Sequence, residues 1–165
     1  MKVLLFRHGI AGEPDEWDGK ESDRPLTEKG KKRTKQSAEG LAIAGVGPSQ
    51  ILTSPLVRAR ATADILQSVF HLRTPARLAD ELMPDAPPDK LLPLLGTLPP
   101  DAVVVCVGHE PHLGAAAGLL LGGKPTMGLS LKKAGACLIL FEETPRAGKG
   151  QLEWWLPPSL LRGLR

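Results

Sequence analysis

Residues 2–9 read KVLLFRHG and residues 101–111 read DAVVVCVGHEP. In each stretch an apolar run stops where a histidine meets a glycine: Arg7-His8-Gly9 in the first, Gly108-His109 in the second. A short apolar run bounded by glycine is the pattern of a buried strand ending in a turn. The second run is apolar at successive positions, as a central parallel strand covered on both faces should be. In open α/β sheets, ligand-contacting groups collect where strands end at their carboxyl edge. Arg7, His8 and His109 therefore fall where such a fold does chemistry.

The pattern around these two strands alternates. After the first comes a polar loop, EPDEWDGKESDRP, then a helix that opens near Thr27, a suitable N-cap, with Glu28 in its first turn and Ala38, Leu41 and Ala42 at helical spacing. GVGP stops that helix, and SQILTS is a second strand. In SPLVRARATADILQSVF, Ser54 reads as an N-cap and Pro55 as the first helical residue, with Val57, Ala61, Ile65 and Val69 forming an apolar stripe. RTPARLA is a weak third strand and PPDKLLPLLGTL a short helix. EPHLGAAAGLLLG follows the central strand as a helix beginning at Pro111. KKAGACLILFEE and GQLEWWL then form a hairpin around TPRAGKG, and the final PPSLLRGLR has no assigned role. This grammar predicts one domain over residues 1–165: a three-layer α/β/α sandwich with a mostly parallel central sheet and an antiparallel C-terminal edge.

Composition narrows the class of protein. With 42% hydrophobic and 24% charged residues and a net charge of +3, the chain is expected to be a globular monomer. Its basic run KGKKRTK lacks the aromatic interleaving of a nucleic-acid surface, so no nucleic-acid partner is expected. The four apolar residues before Arg7 are too few for a signal peptide, and LGAAAGLLLGG is too short to span a membrane. Cys106 and Cys137 both lie in apolar runs and read as buried free thiols. Together these features predict a cytoplasmic protein with no membrane partner.

Three segments repeat one architecture. Arg7-His8-Gly9 ends the first strand, Ser54-Pro55 ends the second with Arg58 a few residues on, and Gly108-His109-Glu110-Pro111 ends the central one. In a parallel sheet these ends share one side, so two arginines and two histidines can converge. Guanidinium forks at helix starts suit phosphate oxygens. A neutral imidazole, with an ordinary pKa of about 6.5, can attack phosphorus, accept the phosphoryl group and pass it to water. The arginines would balance charge on the equatorial oxygens, and the second histidine, if protonated, would add a hydrogen bond. No metal and no cofactor are required.

RHG after the first strand, RPLTEKG in the following loop, SPLVRARATA after the second strand and VGHEP after the central one together resemble the histidine phosphatase superfamily. The small size, the RHGIA opening and ELMPD after the third strand resemble its short SixA-type phosphohistidine phosphatase branch. The likeness covers residues 1 to about 141. It implies that His8 is the nucleophile, that Arg7 and Arg58 hold phosphate, and that His109 is the second histidine of the pocket. Glu81, in LADELMPD, falls in the region where larger members keep a leaving-group acid; it reads equally well as a surface carboxylate. RHGIAGEP lacks the serine and asparagine that follow RHG in some mutase-like members, and the long insertions that roof the pocket in larger members are missing. An open groove follows, which favours a phosphorylated protein, such as a phosphohistidine-bearing phosphotransfer domain or carrier, as partner. A small-molecule phosphomonoesterase is the alternative within the family, and a non-catalytic phosphate-binding module the alternative outside it.

Other features carry little. GLLLGGKP matches the start of a phosphate-binding P-loop, but Pro125 stands where Ser or Thr is needed, and the segment ends a helix. Cys106 has no arginine six positions on and sits inside an apolar strand, so it is no cysteine nucleophile. His109, Glu110 and His112 lack the spacing of a zinc site. Arg24 reads as a pocket neighbour or a loop salt bridge, Arg60 as solvated, and His112 and His71 as structural or exposed.

Overall fold

The computed structural model describes residues 1–164. Among them six strands form one sheet: β1 (Lys2–Arg7), β2 (Gln50–Thr53), β3 (Arg77–Leu78), β4 (Val103–Gly108), β5 (Ala136–Leu140) and β6 (Gln151–Leu156). Their order is β3-β2-β4-β1-β5-β6. β1, β2 and β3 run parallel to β4, whereas β5 pairs antiparallel with β1 and β6 with β5. Five helices cover the sheet: α1 (Glu28–Ile43), α2 (Val57–Val69), α3 (Leu91–Gly96), α4 (His112–Gly122) and α5 (Pro158–Gly163). The expected α/β/α sandwich is the observed one.

Strand alternation divides the core in two. Val3 and Leu5 of β1, with Val104 and Cys106 of β4, pack with Leu91 and Leu95 of α3 and Leu113, Ala116 and Leu120 of α4. Leu4 and Phe6, with Val105 and Val107, face Ala38 and Leu41 of α1, Ala59, Ala63 and Leu66 of α2, and Leu161 of α5. Each fully buried leucine or phenylalanine contributes about 1.5–3 kcal/mol relative to exposure. Cys106 and Cys137 are buried and free, and burial pushes both thiols up to about 12.

Several local expectations need correction. The inward face of α2 is Arg58, Ala59, Thr62, Ala63 and Leu66, while Val57, Ala61, Ile65 and Val69 are only half-buried. The helix begins at Val57 with Leu56 at its N-cap, so Ser54 and Pro55 precede it. Ser54 Oγ instead accepts from the Leu56 N–H at 3.3 Å. In α1, Thr27 is the cap, its Oγ1 accepting from Gly30 N–H at 2.9 Å, but Ala42 is exposed. The third strand shrinks to two residues.

The C-terminal segment is structured as α5, which lies on α1 with Leu161 buried. The two backbones approach so closely at Gly40 that a Cβ there would overlap the Leu161 carbonyl. Gly40→Ala is therefore expected to destabilise the fold by about 1–3 kcal/mol through overpacking. At Gly47 a Cβ meets nothing within 4 Å, so Gly47→Ala should leave the fold close to wild type. Denaturant midpoints of the two variants check this.

Candidate active site

The ladder between β1 and β4 continues one residue beyond the strands: His8 N–H donates to the Gly108 carbonyl at 3.0 Å. That bond sets His8 beside His109, with ring centroids 5.0 Å apart and planes tilted by 55°. The next residue ties the strand end to α2. Gly9 N–H donates to Thr62 Oγ1 at 3.0 Å, and Thr62 Oγ1 donates to the Arg58 carbonyl at 2.8 Å. Arg58, second residue of α2, is thereby held against the end of β1 and is buried. Arg7 donates from Nη1 to the Leu131 carbonyl at 2.8 Å. Arg7, His8, Arg58 and His109 thus gather at the carboxyl edge of the sheet, as the sequence spacing implies.

One hydrogen bond decides the state of His8. Its Nδ1 lies 2.7 Å from the Gly9 carbonyl, which can only accept, so Nδ1 carries the hydrogen. Burial, reinforced by the positive charges of Arg58, Arg7 and Lys133, pushes the His8 pKa down to about 3. A neutral ring with hydrogen on Nδ1 has its lone pair on Nε2, the atom able to attack. His109 is pushed down to about 2, chiefly by burial and then by His8 and Arg58. Its Nε2 lies 2.8 Å from Ser54 Oγ.

The site leaves polar atoms unpartnered. Arg7 Nε, Arg58 Nε and His109 Nδ1 are buried without a hydrogen-bond partner. Buried donors left unsatisfied cost free energy; the two guanidinium Nε–H groups suit an oxyanion, and His109 Nδ1 joins them when it carries the ring hydrogen. Burial lowers both arginine pKa values, yet a guanidinium stays charged.

A carboxylate that the sequence pattern missed completes the cup. Glu21, in a short turn within the acidic loop, places Oε1 3.1 Å from Arg58 Nη2 and 2.7 Å from Arg24 Nη2. Arg24 also donates from Nε to Glu21 Oε2 at 2.9 Å, and Arg58 donates from Nη1 to the Glu21 carbonyl at 3.0 Å. The hydrogen bonds from Arg24 hold the Glu21 carboxyl below its ordinary pKa, so it is an ionised partner of Arg58 and no proton donor. Arg24 is buried, and its bond to the Gly12 carbonyl fastens RPLT to the chain after β1. Glu81 lies in the turn Asp80–Leu82. It is half-buried, and its carboxylate makes no hydrogen bond or ion pair among the described residues. Its turn nonetheless flanks the site, since Met83 Sδ is 3.6 Å from Ser54 Oγ.

Glu110 acts from behind. Its carboxylate accepts from Leu131 N–H at 2.8 Å and Gly114 N–H at 3.2 Å, so the residue whose carbonyl holds Arg7 is itself held by Glu110. His112 is buried beneath, with burial lowering its pKa and neither ring nitrogen partnered. His71 is exposed. No group of three or more metal-binding side chains occurs among the described residues.

With this geometry in view, a family model described as histidine phosphatase superfamily (branch 1) matches residues 3–83. The chain belongs to the histidine phosphatase superfamily. Within the histidine phosphatases it is of the SixA type. It is 28% identical over 164 residues to the phosphohistidine phosphatase SixA of Escherichia coli K12, covering 98% of this chain and 97% of that one. An uncharacterized protein of Picosynechococcus is 41% identical over 137 residues, 82% of each chain. The solved structure of the protein histidine phosphatase SixA complexed with tungstate superposes with a TM-score of 0.84 at 26% identity, covering 98% of this chain and 99% of that one. Among the described residues no helix is long and apolar enough to cross a membrane.

Two expectations follow from the site. His8, His109 and His112 are neutral in the fold with lowered pKa values, whereas the unfolded chain takes up their protons below about pH 6.5. Their contribution to stability is complete above that pH and is lost as pH falls, by about 1.4 kcal/mol per unit for each fully neutral ring. The denaturant midpoint should fall clearly between pH 7 and pH 5; an unchanged midpoint would mean that the rings charge within the fold. Glu21→Gln keeps an acceptor for Arg24 but removes the charge that shares Arg58 with an incoming anion. Orthovanadate inhibition should tighten by up to about 5-fold, in keeping with a half-exposed pair.

Proposed function

We propose that this histidine phosphatase hydrolyses phosphohistidine in proteins through a phosphoenzyme on His8. The observation that carries this is the Gly9 carbonyl on His8 Nδ1, which leaves Nε2 as the lone-pair nitrogen of a ring surrounded by two guanidinium groups. In the first step the Nε2 lone pair forms a bond to phosphorus while the bond from phosphorus to the substrate nitrogen breaks. The substrate ring leaves neutral when its other nitrogen already carries a proton. His8 becomes a phosphorylated imidazolium, whose Nδ1–H strengthens its bond to Gly9. Water then attacks phosphorus, His8 leaves as the neutral ring, and both water protons end on the released phosphate. Arg7, Arg58 and the His109 ring face the equatorial oxygens.

The same ring takes on a second task once phosphate enters. In the empty cup, burial and neighbouring cations keep His109 neutral. The charges of a bound phosphate oppose those cations and raise its proton affinity. Ser54, bonded to Nε2, orients the ring in either state.

Acid chemistry favours the phosphoramidate substrate. Alkyl phosphates need a proton delivered to the leaving oxygen, but Glu21 is an arginine-bound carboxylate and Glu81 has no partner in the cup. A phosphohistidine leaving group brings its own proton. Similarity to SixA in length and fold points the same way. His8→Ala should abolish turnover and radiolabelling of the enzyme by phosphohistidine substrate, while Glu81→Gln should retain most of that turnover. Loss of activity in Glu81→Gln, together with wild-type preference for sugar phosphates, would establish the small-molecule phosphomonoesterase instead. Tight phosphate binding with no turnover would establish a non-catalytic module.

A further inference from the structure

Beside the cup lies a cleft of about 520 Å³ lined by Arg7, Arg33, Lys132, Lys133 and Arg162, with Ile10 and residues 157–159 completing it. Its lining comes from the end of β1, the outer face of α1, the turn before β5 and the start of α5. No carboxylate among the described residues lines it. Among the described residues no ion pair engages Arg33, Lys132 or Lys133, whereas Lys31 and Lys35 on α1 are paired with Glu28 and Glu39. The whole chain carries only +3, so with Arg7, Arg33, Lys132 and Lys133 in this cleft the rest of the molecule is slightly negative.

The cleft and the cup are joined. Arg7 belongs to both, and the charge of Lys133 is felt by His8. A molecule with a phosphoryl group on His8 therefore reaches the cleft with whatever lies next to the phosphorylated residue. We infer that this cleft is a docking surface for acidic side chains of the protein that carries the phosphohistidine. The inference rests on the phosphohistidine reading above and names the surface that recognises its substrate.

Charge complementarity selects that occupant. Lys132 is exposed, and Lys133 and Arg33 are half-buried, so two ammonium point charges and a guanidinium fork can meet several carboxylates at once. No aromatic side chain lines the cleft, so it lacks the stacking platform that single-stranded nucleic acid uses. Proline and isoleucine supply an apolar floor against which the stems of glutamate side chains can lie.

The test uses the full chain and two phosphohistidine peptides, one flanked by four glutamates and the other by four glutamines. Electrostatic steering raises association rates by 10-fold or more, so wild-type kcat/KM should favour the acidic peptide by about 10-fold at low salt. That preference should shrink as salt rises. In the double variant R33E/K132E the preference should vanish or reverse, with kcat/KM for the neutral peptide within about 2-fold of wild type, since neither residue belongs to the cup. Equal rates on both peptides in wild type would overturn the docking surface while leaving the phosphatase intact. Equal losses on both peptides in the variant would also overturn it, because the cleft would then serve phosphate itself. Turnover of sugar phosphates with neither peptide hydrolysed would overturn the substrate class, and the docking surface with it.

Discussion

Parallel pairing of β1 with β4, in the register that sets Arg7 opposite Gly108, is the constraint on which the site hangs. Two histidines separated by a hundred residues become neighbours because their strands end level. A slip of one residue would turn each side chain of β1 to the other face of the sheet. Hydropathy alone guards weakly against that slip, since Val3, Leu4, Leu5 and Phe6 are apolar on both faces. Local shape adds to it. A Cβ at Gly108 would stand 3.0 Å from Leu113 Cδ2, so a larger residue at the end of β4 would make the Leu113 side chain of α4 give way by a few tenths of an ångström. At Gly30, a Cβ would overlap the Ile10 carbonyl, so α1 too is pressed against the chain leaving β1.

From that register the electrostatics follow. Three buried ionisable side chains, His8, Arg58 and His109, lie together with the half-buried Arg7, and the fold resolves the conflict by keeping two charged and two neutral. The arginines hold their charge against desolvation, and the imidazoles, beside them and out of water, lose theirs. The result is a cationic cup that contains an uncharged imidazole. Glu21 offsets part of the charge at its rim, and Arg24 holds Glu21 in place. A charged histidine would repel the arginines and could not attack phosphorus, so the same burial that lowers its pKa serves the proposed reaction.

Much of this was legible in the sequence, for identifiable reasons. The sheet and its strand ends follow from apolar runs that stop at glycine, and the quartet follows from where those runs stop. Hydropathy places the inner face of α2 one position off, because Arg58 and Thr62, which serve the site, occupy inward places that it assigns to Val57 and Ala61. Ser54 reads as a helix cap, but it precedes the helix and its hydroxyl is engaged with His109. Glu21 carried no signal at all: it is one acid among many in a loop, and only the path of the chain brings it to Arg58. Arg24 proved to be both of the things its position allowed, a loop salt bridge and a support for the pocket's carboxylate. Lys133 and the short helix α5 lie beyond the motifs and emerge only from packing.

The central claim is that the Gly9 carbonyl holds His8 as a neutral ring with its hydrogen on Nδ1. Nitrogen-15 NMR of the histidine rings at pH 7, with His8 assigned by substitution, reads this directly. The account predicts a protonated Nδ1 and a bare Nε2 for His8. A ring protonated on Nε2, or on both nitrogens, would contradict it.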